Sequence, residues 1–240
     1  MKIALIGYGK MGKEIEQIAL DRNHTTPLKI DINNQHEFTI ENLKGVDVAI
    51  EFSKPETAID NIRKCFAAGI PIVCGTTGWH ESFEIIKQEC ISTNNTLFYA
   101  TNYSLGVGIF AKVNQYLARI MNNFPQYEVS MVETHHTQKL DAPSGTAITL
   151  AEDILKNIVR KKNWQLNGQD NKETLNIAAV RRDTVPGIHT ITYDSPVDFI
   201  EITHDAKNRK GLALGAVVAA EFLISKKGVF SMDDLLKLDN

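Results

Sequence analysis

The sequence predicts an α/β protein in two parts: a parallel sheet covered by helices, followed by an α+β part with a mixed or antiparallel sheet. Three observations predict it. Apolar runs alternate with helical patterns from Lys2 to Ser104. A glycine turn, Gly7-Tyr8-Gly9-Lys10-Met11-Gly12, follows the first apolar run at once. Beyond Glu173, three strand-like segments come without helices between them.

Lys2 to Ile6 is the first strand. After the glycine turn, Met11, Ile15, Ile18 and Ala19 fall at helical spacing, with Lys13, Glu14, Glu16 and Gln17 on the wet face. A G-x-G-x-x-G between a strand and a helix is the dinucleotide fingerprint in its required setting. Gly7 allows the tight turn, Gly9 lets a pyrophosphate approach the backbone, and Gly12 lets helix and strand pack closely. The fingerprint also wants an acid about 20 residues further on. Leu28-Lys29-Ile30 ends in Asp31, placed to bond the adenosine ribose hydroxyls and to repel a 2′-phosphate. Ile32, Asn33 and Asn34 follow instead of an arginine, so NADH is favoured, although Lys29 keeps NADPH open.

Residues 33–45 read as a polar loop and Val46 to Ile50 as the third strand. Glu51-Phe52-Ser53-Lys54-Pro55 leads into a helix over Glu56 to Ala68. Pro71 to Cys74 is the fourth strand, ended by Gly75-Thr76-Thr77-Gly78; a helix over Glu81 to Ser92 and a strand over Thr96 to Ala100 come next. Thr101-Asn102-Tyr103-Ser104 closes that strand at the same sheet edge, the carboxyl edge where open α/β sheets place ligands. Gly75, Thr76 and Thr77 are therefore candidates for the nicotinamide side. A long helix spans Leu105 to Asn122 and a strand spans Tyr127 to Val132. Residues 161–173 are polar and aperiodic, a surface loop. Thr174 to Arg182, His189 to Tyr193 and Phe199 to Thr203 are the strands of the second part. A small and apolar helix over Leu212 to Ile224, with another over Ser231 to Leu238, returns to the first. Residues 1–104 and 210–240 thus form a Rossmann-type dinucleotide-binding domain, and residues 105–209 a domain for substrate binding and oligomerisation.

Composition narrows the function. At 240 residues and 43% hydrophobic, the chain can bury a sizeable core, and a net charge of -3 with no basic run argues against nucleic acid. No apolar stretch approaches the roughly 18 residues that cross a bilayer. Met1-Lys2 runs straight into strand residues rather than a signal peptide, and Cys65, Cys74 and Cys90 show no CxxC spacing. A cytoplasmic protein with reduced thiols and no metal site is expected.

The densest chemistry lies in Glu133-Thr-His-His-Thr-Gln-Lys-Leu-Asp-Ala-Pro-Ser-Gly-Thr146. Pro143 sets up a helix start, Ser144 is its candidate N-cap, and Gly145 and Thr146 present N–H groups at the positive end of the helix dipole. Such an end binds anions. Lys139 is a point charge suited to a carboxylate or phosphate, and His135 and His136 are of the one residue type that can titrate near neutral pH. Adjacent strand residues face opposite ways, so the strand must end at about this point if both histidines serve one ligand.

Together these motifs resemble the dihydrodipicolinate reductase family over nearly the whole chain, most specifically at 133–146, with support from 51–55, 75–78, 101–104 and 203–209. The resemblance implies NADH- or NADPH-dependent reduction of 4-hydroxy-tetrahydrodipicolinate in lysine and diaminopimelate biosynthesis, by a homotetramer joined through the second domain's sheets. By position, it implies His135 as the catalytic proton donor/acceptor and Lys139 as a proton donor. His136, Ser144, Gly145 and Thr146 would bind a dicarboxylate imine, and Gly7, Tyr8, Gly9, Lys10, Met11, Gly12, Asp31, Gly75, Thr76, Thr77, Thr101, Asn102, Tyr103, Ser104 and Arg209 the cofactor. The glycine turn is one residue shorter than in some relatives, and the basic residue that can follow the ribose acid is absent. Another two-domain dehydrogenase or a non-catalytic NAD sensor would share the first half. An acylating semialdehyde enzyme, however, needs a nucleophilic cysteine that the second domain lacks.

Overall fold

The computed structural model describes residues 1–168, 171–208 and 210–236. The chain forms two compact units, Met1–Leu105 with Lys210–Asn240, and Gly106–Arg209.

The first unit begins with β1 (Lys2–Ile6), α1 (Lys10–Asp21), β2 (Thr25–Ile30), α2 (Ile40–Leu43), β3 (Val48–Glu51), α3 (Pro55–Ala68), β4 (Ile72–Cys74), α4 (Phe83–Ser92) and β5 (Thr96–Tyr99). The second contains α5 (Leu105–Met121), β6 (Glu128–His135), α6 (Gly145–Asn157), β7 (Asn163–Leu166), β8 (Thr174–Arg181), β9 (Ile188–Asp194) and β10 (Phe199–Asp205). α7 (Lys210–Phe222), β11 (Gly228–Phe230) and α8 (Met232–Leu236) belong again to the first.

The first unit's sheet runs β11-β5-β4-β3-β1-β2, parallel throughout. Side-chain alternation splits it into two cores. Ala4 and Ile6 join Ala58, Ile62 and Cys65 of α3 and Ile86 and Cys90 of α4 on one face. Ile3 and Leu5 meet Ile15 and Ala19 of α1 and Ala213, Ala216, Val217 and Ala220 of α7 on the other. α7 is small-residue-rich because it sits tight on the chain beneath it: a Cβ on Gly215 would lie 1.7 Å from the Tyr103 carbonyl oxygen. α3 starts with Pro55 in its first turn and stops at Gly69, whose φ of 69° is left-handed.

The second unit's sheet is mixed, in the order β10-β9-β6-β8-β7. β6, β8 and β7 run parallel, and β9 and β10 are antiparallel to their neighbours. Val129 and Met131 of β6 pack with Leu150, Ala151 and Ile154 of α6 and with Phe110, Ala118 and Met121 of α5. The opposite face leaves Val132, Val180 and Phe199 exposed.

The structure departs from the sequence reading at four places. The loop over 161–173 contains β7, an edge strand whose residues are all half-buried or exposed, so it has no apolar alternation to betray it. Residues 33–45 hold a 3₁₀ turn (Gln35–Glu37) and α2, capped by Thr39 accepting from Asn42 N. β11 adds a sixth parallel strand at the edge beside β5. The Ser231–Leu238 helix spans Met232–Leu236, and Leu238 lies outside the described residues.

Candidate functional site

In the first unit the glycine turn is shaped by what lies around it. A Cβ on Gly7 would fall 2.0 Å from the Phe52 carbonyl oxygen, and one on Gly12 would fall 2.4 Å from that of Gly7. One on Gly9 would meet nothing within 4 Å, so the backbone there faces open space. Gly9 also caps α1, and a glycine has no side chain to satisfy the first N–H groups of that helix. The turn, Phe52, Ser53 and Pro55, and the Gly75–Thr77 loop enclose a hollow of about 500 Å³ whose lining includes Gly9, Lys10, Met11, Gly75, Thr76 and Thr77. Its walls are held from behind. Glu51, fully buried, accepts from Ser53 and from Asn61 Nδ2 at 3.4 Å, while Ser53 N also donates to Thr76 Oγ1 at 2.8 Å. Open backbone, an uncapped helix start and a hollow at the strands' carboxyl ends fit a dinucleotide.

The other cofactor candidates lie outside that lining. Asp31 follows β2 directly; its backbone N–H donates to Asn34 Oδ1 and its Oδ1 accepts from Ile32 N. Tyr8 donates its hydroxyl to Glu16. Asn102 Oδ1 accepts from Ser104 N at 2.9 Å, and Thr101 is exposed. The Tyr103 ring is buried between Phe52 and Phe98, and its hydroxyl donates to the Cys74 carbonyl at 2.8 Å. Any ligand contact at that position therefore falls to the backbone. Arg209 lies outside the described residues. A larger hollow of about 820 Å³, lined by Arg63, Glu89 and Lys227 among others, sits where the chain enters β4 and β5, the opposite end from the ligand edge, and Arg63 is already paired with Glu89 there.

In the second unit the site is built on the end of β6. Glu133 and His135 share one face of the strand, the face covered by α6. β9 sets His189 opposite Glu133, and β8 sets Arg181 opposite His135. Glu133 is fully buried and its two oxygens are used. Oε2 accepts from Ser144 N at 3.0 Å, and Oε1 accepts from Arg181 Nη2 at 3.1 Å. The same guanidinium donates to the carbonyls of Lys139 at 3.2 Å and Asp141 at 2.7 Å, so Arg181 ties the 139–141 loop to the strand. Lys139 Nζ contacts both Asp141 oxygens at 2.8 Å. Ser144 is the N-cap of α6: its Oγ accepts from Ala147 N at 3.2 Å and lies 3.3 Å from His189 Nε2. A Cβ on Gly145 would meet nothing within 4 Å, so the helix start opens outward. The Ala142–Pro143 peptide is cis.

Burial would raise the Glu133 carboxyl, but the Ser144 donors and Arg181 outweigh it and hold the group below its ordinary value. Burial lowers His135, the Lys139 and Arg181 charges add to that, and Glu133 opposes it. His135 is thus neutral at pH 7. Its Nδ1 lies 3.5 Å from Glu133 Oε2 and makes no hydrogen bond among the described residues, so the contact is electrostatic. Burial pushes His189 down to about 4. Glu133, His135 and His189 offer ligand atoms within 4.8 Å of one another. The Arg181 cation and the Ser144 N–H already occupy the carboxylate, so the cluster reads as a hydrogen-bonded network rather than a cation site.

The structure thus brings His135, Lys139 and Ser144 together through Glu133 and Arg181. β6 ends at His135, and His136 lines a hollow of about 380 Å³ with Thr137, Gln138, Asp183, Thr184 and Pro186. Sequence alone gives Glu133, Arg181 and His189 no role in the site. Alternation along β6 would have paired Glu133 with His135; the other two depend on strand register.

Comparison with known proteins agrees across the chain. Family models described as dihydrodipicolinate reductase, N-terminus and C-terminus, match residues 1–103 and 106–236. A 4-hydroxy-tetrahydrodipicolinate reductase from Christiangramia forsetii is 49% identical over 98% of both chains. One from Staphylococcus carnosus is 32% identical over 98% of this chain and 99% of the other. The dipicolinate-bound dihydrodipicolinate reductase from Paenisporosarcina sp. TG-14 shares the fold, with a TM-score of 0.79 at 22% identity, over 96% of this chain and 97% of that one.

Proposed function

Because the chain belongs to the dihydrodipicolinate reductase family and is an oxidoreductase, we propose that it reduces 4-hydroxy-tetrahydrodipicolinate, by way of dihydrodipicolinate, to tetrahydrodipicolinate in lysine and diaminopimelate biosynthesis. The observation that carries the site assignment is the Glu133 carboxylate, which joins the end of β6 to the first turn of α6 and, through Arg181, to the loop bearing Lys139. The outward-opening start of α6 at Gly145 and Thr146, together with Lys139 and His136, suits the two carboxylates of the substrate. Ser144 serves as the cap that holds this end in place.

A reduced nicotinamide, when bound, would supply the hydride, and the first unit's glycine turn, Asp31 and the Gly75–Thr77 and Thr101–Ser104 loops would hold it. Asp31 favours NADH. With hydride added at ring C4, electron density moves toward the ring nitrogen, which then needs a proton. Lys139 supplies it; His135, neutral and buried beside Glu133, passes a proton or orients the substrate. The expected setting is the cytoplasm, and among the described residues no helix is long and apolar enough to cross a membrane. A homotetramer would cover Val132, Val180 and Phe199 on the open face of the second sheet.

The test is absorbance at 340 nm with enzymatically generated substrate, NADH and NADPH run in parallel. Turnover with either cofactor is expected, the larger kcat/KM with NADH. His135→Ala should lower kcat by about 10²- to 10⁴-fold. An unchanged kcat removes His135 from the chemistry.

A further inference from the structure

Lys29 precedes Asp31 by two residues at the end of β2, and an ammonium there is the nearest cation in sequence to a phosphate on the adenosine ribose. The turn and this strand end are hydrogen-bonded neighbours, since Gly7 N and Tyr8 N both donate to the Ile30 carbonyl at 3.0 Å. Lys29 is engaged elsewhere, however. Its Nζ lies 2.9 Å from Glu16 Oε1, which also accepts from Thr26 Oγ1 at 2.9 Å, and Glu16 Oε2 accepts from the Tyr8 hydroxyl. The same ammonium sits 5.5 Å from the centre of the Tyr8 ring. Tyr8 and Thr26 hold Glu16 in place, and Glu16 holds Lys29. Asp31 and Glu37 are the other charges close by in sequence, and residues 31–37 include no arginine or lysine.

The geometry points to Glu16 as a residue that sets cofactor choice: by pairing with Lys29 it withholds the cation that would otherwise accept the 2′-phosphate of NADPH. The inference rests on the first unit being the nicotinamide dinucleotide site. It adds a determinant on α1 to the acid at the end of β2, and it explains how a lysine so close to Asp31 is compatible with NADH.

The experiment is equilibrium binding, followed by cofactor fluorescence, of NADH and NADPH to the wild type and to Glu16→Gln, Lys29→Met and the double variant. Gln keeps the length of Glu16; its carbonyl oxygen can still accept from one of the Thr26 and Tyr8 hydroxyls, and its amide can donate to the other. Glu16→Gln should tighten NADPH by about fivefold, the upper end for a partly exposed ion pair. NADH should stay within about twofold in every variant, well inside a single salt-bridge effect, which also reports an intact site. Lys29→Met alone should leave both affinities in place, and added to Glu16→Gln it should erase the gain. An unchanged NADPH-to-NADH ratio in Glu16→Gln overturns the inference, as does a gain that survives in the double variant or NADPH binding weakened by Lys29→Met alone. A wild type that binds neither nucleotide overturns the cofactor reading itself, and this inference with it.

Discussion

His189 gives the sharpest prediction. It is 5% exposed, faces Glu133 across the β6–β9 ladder, and meets Ser144 Oγ at 3.3 Å. Burial, reinforced by His135, takes it from the usual 6.5 to about 4 although Glu133 pulls the other way. The unfolded chain therefore binds a proton that the folded protein refuses between these two values, and stability falls as pH drops through that window. At about 1.4 kcal/mol per pH unit, the whole window is worth roughly 3 kcal/mol. His189→Gln removes the titration but also weakens the bond to Ser144, a loss of about 1 kcal/mol at pH 7. The variant should thus be less stable than wild type at pH 7, equal near about pH 6, and more stable by about 2 kcal/mol at pH 4. The measurement is urea unfolding at steps between pH 4 and 8. A Trp79→Phe background leaves Trp164 of β7 as the reporter of the second unit. His135 and Glu133 titrate in both proteins and largely cancel in the difference. Parallel profiles for the two proteins would refute the reasoning, because they would mean that His189 takes up its proton in the folded state as easily as in the unfolded chain.

Two further outcomes follow from the packing. Gly12→Ala places a Cβ 2.4 Å from the Gly7 carbonyl oxygen, a backbone atom that can move only with the turn itself; NADH affinity should fall at least about tenfold, or about 1.4 kcal/mol, by fluorescence titration, and an unchanged Kd would separate the turn from the cofactor. Ser144→Ala removes the cap of α6 and its contact with His189; urea unfolding at pH 7 should show a loss of about 1–2 kcal/mol, and a loss below about 0.5 kcal/mol, under the usual range for a cap, would show that water or a neighbouring group replaces it.

Local sequence was enough for the elements whose signal is local. The glycine turn between β1 and α1, Pro55 at the start of α3 and Ser144 at the start of α6 each state their conformation through one residue's backbone or side chain. The alternation of strands and helices implied the parallel sheet, and the run of strands after Glu173 implied the second one. β7 and β11 stayed hidden because edge strands need no continuous apolar face and take their order from a neighbour's hydrogen bonds. In the candidate site, His135, Lys139 and Ser144 were legible because they lie within ten positions of one another, and charge and helix-start chemistry show at that range. Arg181 and His189 lie 48 and 56 residues from Glu133, so nothing local marks them as its partners. Register decides that, placing one across β8 and the other across β9. Tertiary structure likewise decided that the Tyr103 ring belongs to the core and that His136 shares a hollow with Asp183 and Pro186. A sequence names the groups able to carry charge and protons. Strand pairing fixes which of them share a buried space, and burial sets their protonation.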